Sequence, residues 1–296
     1  VRDALLVARF ELLRAVRTWR ALALFVLYAV AAAGAAWLFA QFVGMLENTV
    51  ADQLGVARTE TPGAMLDTLV ASDTWRDVVS ELVGSERLVA YVLEVPPLAL
   101  FDVWFSFVIV PFFAASAAAE CLAIDVRSRA IRFEAGRTGR LELVFGRFLG
   151  QVALTAAATF GAAVVVWGTG WATMVLDEPL VVFGWLLAFV PRSLAFALPF
   201  VALGVTASQI TSSPAWARAL AIGLTAVSWV LYVVAINYED TGWGPLCDVA
   251  FQVLPQGWLR GLWEPGAGWA GSGLALVGLT LAVLSAGYVR FAGRDL

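Results

Sequence analysis

Six uncharged, mostly apolar blocks dominate the chain: Ala21–Leu46, Val103–Ala119, Phe148–Leu176, Ser193–Ala217, Ala219–Tyr238 and Pro265–Val289. A helix needs about 20 apolar residues, at 1.5 Å of rise each, to cross roughly 30 Å of hydrocarbon. Most blocks reach that length, and the second does so when it starts near Pro97 and includes Asp102. The pattern predicts an all-α polytopic membrane protein with six transmembrane helices, at about 21–43, 98–119, 148–174, 180–208, 218–238 and 267–289. The first block is too long for the 7–15-residue apolar region of a cleaved signal peptide, and is read as a span.

Between the blocks the pattern changes. Residues 1–20 read as an amphipathic helix on the membrane surface, with Ala4, Ala8, Leu12, Ala15 and Trp19 on one stripe and Arg2, Arg9, Arg17 and Arg20 opposite. Simple extension of the first span is the competing reading, because Phe10 and Leu13 fall among the arginines. The segment 47–96 places Leu66, Leu69, Val70, Val78, Leu82 and Val83 at helical spacing, with Asp73, Asp77 and Glu81 between them. It is too small for a usual independent domain and suits a lid or a docking surface. Trp243, Trp258 and Trp263, in the connection before the last span, suit the lipid headgroup level.

Composition narrows the chemistry. The 296 residues are 61% hydrophobic and 14% charged, with no histidine, and all 19 basic side chains are arginine. Codon usage accounts for the choice of arginine over lysine. Without lysine there is no P-loop of the G-x-x-x-x-G-K-[ST] type, so the chain is not itself a standard P-loop ATPase. Without histidine, imidazole metal sites, serine–histidine hydrolysis and H-E-x-x-H chemistry all drop out. An aspartyl dyad lacks its second intramembrane Asp. Catalytic and metal residues are therefore expected to be absent. The two cysteines, Cys121 and Cys247, fall at opposite faces of the predicted bundle and are not expected to pair.

Charge sets the orientation. With the amino terminus inside, the cytoplasmic pieces carry fourteen arginines against seven acids; the outer pieces carry four arginines against sixteen acids, counting Asp102. The positive-inside rule then places both termini in the cytoplasm. Six of the arginines (127, 129, 132, 137, 140 and 147) cluster in the loop 120–147, "DVRSRAIRFEAGRTGR" and its continuation. A topological anchor needs only the charge. This loop also carries Ile131, Phe133, Leu141, Leu143 and Phe145, with Gly136 placed to end a short helix, so it reads as a structured docking element.

Ionisable groups inside spans are the default functional candidates in a membrane. Asp102 is shallow in the second span and Arg192 follows Pro191 deep in the fourth; their depths differ by roughly 13 Å at the helical rise, too far for a direct pair. Packing against another helix is as good a reading of both as a transport role. Pro111, Pro191 and Pro199 also lie within spans, where each removes a helix hydrogen bond.

The chain resembles the membrane permeases of ABC-2 type transporters, with a likeness to the branch linked to multicopper-enzyme maturation. An arginine-rich amphipathic helix leads into the first span, and a long outer segment joins the first two. In "DVRSRAIRFEAGRTGRLELVFGRFLG", Asp125 falls at the family's acid and Ile131 and Phe133 at its apolar positions. Arg140 falls at its arginine, and Gly146-Arg147 at its glycine–basic pair. "ASQITSSPAWARAL" is similar to the short inner turn between spans four and five, and "VRFAGRDL" to the family's ending. Two positions depart: Arg129 stands at a usual glycine, and Thr138-Gly139 where proline-x-serine is common.

The resemblance implies a type V exporter-like membrane domain in a prokaryotic inner membrane, paired with a second permease copy. It also implies a separate ABC ATPase subunit that binds ATP and Mg and docks on the loop 120–147. The docking residues are then Asp125, Arg129, Ile131, Arg132, Phe133, Glu134, Arg137 and Arg140, with Ile131 and Phe133 inserted in an ATPase cleft. This chain would bind no cofactor itself. Its other partners would be the bilayer and an accessory protein at the outer segment, with no nucleic acid. An ion-coupled secondary transporter normally needs several buried carboxylates, and only Asp102 is available. A non-transporting membrane scaffold is the remaining alternative. No cluster of Met, Cys or His suggests copper as cargo.

Overall fold

The computed structural model of the protein describes residues 2–58, 60–83, 86–239 and 241–293. The Arg294–Leu296 ending and the side chains of Arg20, Leu82 and Val83 lie outside the described residues. All regular structure among the described residues is helical. Six helices are long and apolar enough to cross a membrane: α2 (Trp19–Leu54), α6 (Pro97–Ala118), α9 (Arg140–Thr173), α10 (Pro179–Ile210), α11 (Pro214–Tyr238) and α14 (Ala270–Ala292). The fold is the all-α polytopic membrane domain that the hydropathy predicts.

The helices outrun their apolar blocks, because backbone hydrogen bonding does not stop where side chains turn polar. α2 continues through Glu47 and Asp52 to Leu54 and ends at Gly55, whose left-handed backbone (φ 69°) returns its N–H to the Ala51 carbonyl. α9 starts at Arg140, ahead of its first apolar stretch, and α14, which starts only at Ala270, runs past Val289 to Ala292.

α10 is the hub, packing against α6, α9, α11 and α14. In α6 and α10, 61% of the most apolar window is buried, against 17% in α2 and α11, so the latter two form the flanks. Phe107 of α6 and Phe196 of α10 meet edge to face with centroids 5.3 Å apart. α6 continues through Pro111, and α10 through Pro191 and Pro199.

The segments outside the long helices are more ordered than loops. After α2 come α3 (Leu66–Val70), α4 (Asp73–Val83) and α5 (Glu86–Leu93). Leu69, Trp75 and Val79 are their buried anchors, whereas Val78 is half-buried. The buried Glu47 carboxylate accepts the N–H groups of Gly63 and Met65, both at 2.9 Å, and Val175 N donates to Pro62 O at 2.8 Å. The segment is thereby tied both to α2 and to the α9–α10 connection.

Between α11 and α14 the chain returns through α12 (Gly244–Val253), a 3-10 turn at Pro255–Trp258 and α13 (Leu259–Leu262). This return corrects the tryptophan reading. Trp263 is not at a headgroup interface but in the core, 5.8 Å from both Phe107 and Phe189, because α13 folds back onto the bundle. Trp243 is exposed, beside an apolar cavity of about 770 Å³ between α11 and α12 that no charged side chain lines. Cys121 and Cys247 are both buried and unpaired as a disulfide.

At the arginine-rich end lie α1 (Arg2–Arg17), α7 (Ala123–Arg127) and α8 (Ile131–Thr138). A single extended residue, Thr18 (φ −95°, ψ 122°), separates α1 from α2. The expected stripe is corrected in part. Ala4, Ala8 and Ala15 are buried, but Trp19 lies past the break and is exposed, while Glu11 joins the buried face. That face packs on α9 rather than on lipid.

Candidate functional site

The second and third turns of α9 carry Gly146, Arg147, Gly150 and Gln151. Residues four apart share a helix face, and here the face presents two glycines. A Cβ at 146 would stand 2.6 Å from the Ala4 carbonyl oxygen and from Val7 Cβ, and one at 150 would stand 2.8 Å from Glu11 Cβ. Only hydrogen fits, so α1 rests directly on α9. The alanines on the facing side of α1 allow the same closeness.

That approach delivers Glu11 to Arg147. Nη1 of Arg147 donates to Glu11 Oε2, and Gln151 Nε2 donates to Glu11 Oε1 at 2.9 Å. The other arm of the fork, Nη2, donates to Asp125 Oδ2 of α7 and to Glu134 Oε2 of α8, each at 2.7 Å. Arg14 of α1 completes the knot with a bidentate pair to Asp125, at 2.9 and 3.1 Å. Hydrogen bonding to Asp125 holds the Arg14 guanidinium above its ordinary pKa. Two guanidiniums thus serve three carboxylates, and four elements are tied at one point.

The Arg147 side chain is 1% exposed and those of Glu11 and Asp125 are 7% exposed. Desolvating so much charge costs several kcal/mol per ion, and the pairing offsets this only while every partner stays in place. A planar fork with donors on both arms can reach opposite carboxylates; a lysine point charge cannot hold that geometry. There is no nucleophile–base pair here. The arrangement is a mechanical joint, in which a shift of α7–α8 must move α1 and the root of α9 or break the knot.

The predicted docking residues separate into inward and outward groups. Asp125 faces inward to Arg147 and Ile131 is 2% exposed in the core, so neither forms an open docking face, while Glu134, still part-exposed, is engaged by Arg147. Ile131 and Phe133 therefore cannot enter one cleft together: two residues apart on a helix, they point to different sides. Arg140 donates to the Phe291 and Ala292 carbonyls and caps the end of α14. Arg129, Arg132, Phe133 and Arg137 point outward, and Phe133 is 78% exposed. Arg129 has φ 59°, the left-handed backbone that favours glycine, which accounts for the glycine expected there.

Asp102 and Arg192 are not brought together. Arg192 donates to Tyr91 OH at 3.5 Å and to the Glu264 carbonyl at 3.3 Å, with its guanidinium 4.7 Å from the Phe189 ring centre. Asp102 is buried in α6, and its Oδ1 has no hydrogen-bond partner among the described residues.

Sequence reasoning missed Glu11, Arg14, Arg147 and Gln151 as site residues. The available signals were the i, i+4 glycines around Arg147 and an acid at the one small-residue face of α1.

The ABC-2 family transporter protein family matches residues 5–242, from α1 into the connection that follows α11. The chain belongs to this ABC-2 family. It is a permease subunit of ABC transporter type, a class of membrane protein that works with an ABC ATPase subunit. No curated protein matches the chain in a sequence comparison.

Proposed function

We propose that this ABC-2 permease is the membrane half of an ATP-driven exporter, with its arginine-rich end and both termini in the cytoplasm. A separate ATPase, holding ATP and Mg, docks on the outward face of α8. Phe133 is the anchor, and Arg129, Arg132 and Arg137 form a polar rim. The observation that carries this reading is the division of the loop into two faces. One presents an exposed aromatic among arginines, as protein interface hot spots do, and the other is locked by Arg147 into α1 and α9. Displacement of α8 during the ATPase cycle would reach the membrane helices through that joint. The arginine imbalance between the two ends supports the orientation.

Phe133→Ala tests the docking. It should leave the fold and membrane insertion unchanged while reducing ATPase co-purification by an amount matching an anchor worth about 2 kcal/mol or more. Arg132→Ala should be milder and lose its effect at high salt. Full ATPase retention by correctly inserted Phe133→Ala protein would refute the docking assignment.

A further inference from the structure

At the same end a second cleft, of about 550 Å³, opens between α1, α2, α6, α9 and α11. Its volume falls within the roughly 300–1,000 Å³ of small-molecule sites. One end is ionic, with Arg17 and Arg218 at the lining, and the other is apolar, with Phe25, Phe113, Ala117 and Leu154. The gradient from guanidinium to aromatic and aliphatic side chains matches an amphiphile's head and chain.

The charges show what kind of head. Arg14 is taken up by Asp125, and Glu11 by Arg147 and Gln151. Arg218 Nη2 binds Glu120 at 2.9 Å, yet its buried Nε–H has no hydrogen-bond partner among the described residues. Arg17, exposed at the rim, has no ion-pair partner among them. Among the described residues the cleft therefore carries one uncompensated positive charge, on Arg17, and one buried N–H without an acceptor, on Arg218. A phosphodiester answers both. Trp19, 81% exposed beside the opening, has the amphipathic ring that settles at headgroup depth.

We infer that this cleft binds one anionic phospholipid, its phosphate between Arg17 and Arg218 and one acyl chain along Phe25 and Phe113. That the lipid belongs to the cytoplasmic leaflet rests on the orientation proposed above; the binding chemistry does not. The site differs from the ATPase-docking face of α8, and its occupant would brace the α1–α2 break against α6 and α11.

The test is native mass spectrometry of the purified protein in detergent, titrated with phosphatidylglycerol or with phosphatidylcholine. The wild type should retain one phosphatidylglycerol per chain in preference to phosphatidylcholine. Arg17→Gln should weaken that retention about fivefold, the worth of one part-exposed charge-assisted contact. Arg9→Gln removes the same charge from an exposed position of α1 outside the cleft and should change nothing. Ala117→Phe, which fills the apolar end and leaves every charge in place, should abolish retention. Equal retention of the two lipids by the wild type, or equal losses in Arg17→Gln and Arg9→Gln, would overturn the site. So would undiminished binding by Ala117→Phe. None of these measurements involves the ATPase, so failure of the docking assignment would leave them untouched.

Discussion

Replacing Arg147 with methionine keeps the side-chain length and removes the charge from the knot. Glu11 then keeps only Gln151, Asp125 keeps only the part-exposed Arg14, and Glu134 is released toward solvent, where its side chain is already 33% exposed. Removing one partner of a buried ion pair typically costs about 3–5 kcal/mol, because the remaining charge stays buried and uncompensated. Here two carboxylates keep one partner each, so a value near 3 kcal/mol is expected. It should appear locally. Hydrogen exchange in α1, α7 and α8 should accelerate by about a hundredfold for a loss near 3 kcal/mol, while α10, which takes no part in the knot, stays protected. Arg147→Lys should retain part of the protection, since it keeps the charge but loses the fork. Adding Glu11→Gln to Arg147→Met should recover some of it, because a buried anion is removed. Unchanged exchange in α1 and α8 of Arg147→Met protein would refute the account. A Glu11→Gln addition that makes matters worse would refute its electrostatic basis.

Three further outcomes follow from the same geometry. Gly146→Ala should lift α1 from α9 and raise its hydrogen exchange, with an overpacking cost of about 1–3 kcal/mol; Gly161→Ala in the same helix, where a Cβ meets nothing within 4 Å, should be neutral or stabilising. Arg129→Gly should leave the α7–α8 turn at least as protease-resistant as the wild type, whereas Arg129→Val should lower stability by about 1–2 kcal/mol at a left-handed position. The family resemblance implies pairing of two permeases, and we propose that the open small residues of α2 and α11 form the seam. Gly34→Leu with Gly223→Leu, both facing empty space in the single chain, should then leave the fold intact and shift cross-linking in membranes toward monomer.

How much of this was legible beforehand depends on the range of the signal. Spans are local: twenty apolar residues report themselves, and all six were found. The separate first helix was legible too, its end read at residue 20 where the break falls at Thr18; the continuation of α2 through Glu47 and Asp52 to Leu54 was not, because hydropathy reports where side chains turn polar and not where backbone hydrogen bonding stops. Phe133 and the arginine cluster are adjacent in sequence, so the loop stood out as a docking element, but which residues face inward is settled by partners far along the chain. Asp125 and Ile131 looked like surface only because Arg147, Glu11 and the bundle core were not yet known to lie behind them. Arg129 is the converse case. A departure from the family's glycine was visible in the sequence, and its meaning appeared only with a φ of 59°.

The knot also explains why an acid sits in the arginine-rich first helix. On a helix that only lay on a membrane surface, Glu11 would belong on the polar face with the arginines. It lies instead on the same face as Ala4, Ala8 and Ala15, where small residues give the backbone its closest approach and burial of a lone carboxylate would be most costly. That position makes sense only if a cation arrives from another element, and Arg147 does so between the two glycines that admit α1. Glycine pair, buried acid and fork are therefore one device: the glycines set the distance, and the ions set the register of α1 along α9. A sliding interface would need none of the charge. The charge adds a preference for one register of α1 along α9 over its neighbours, which is what a joint must have if movement of α8 is to reach the membrane helices rather than be lost in slip.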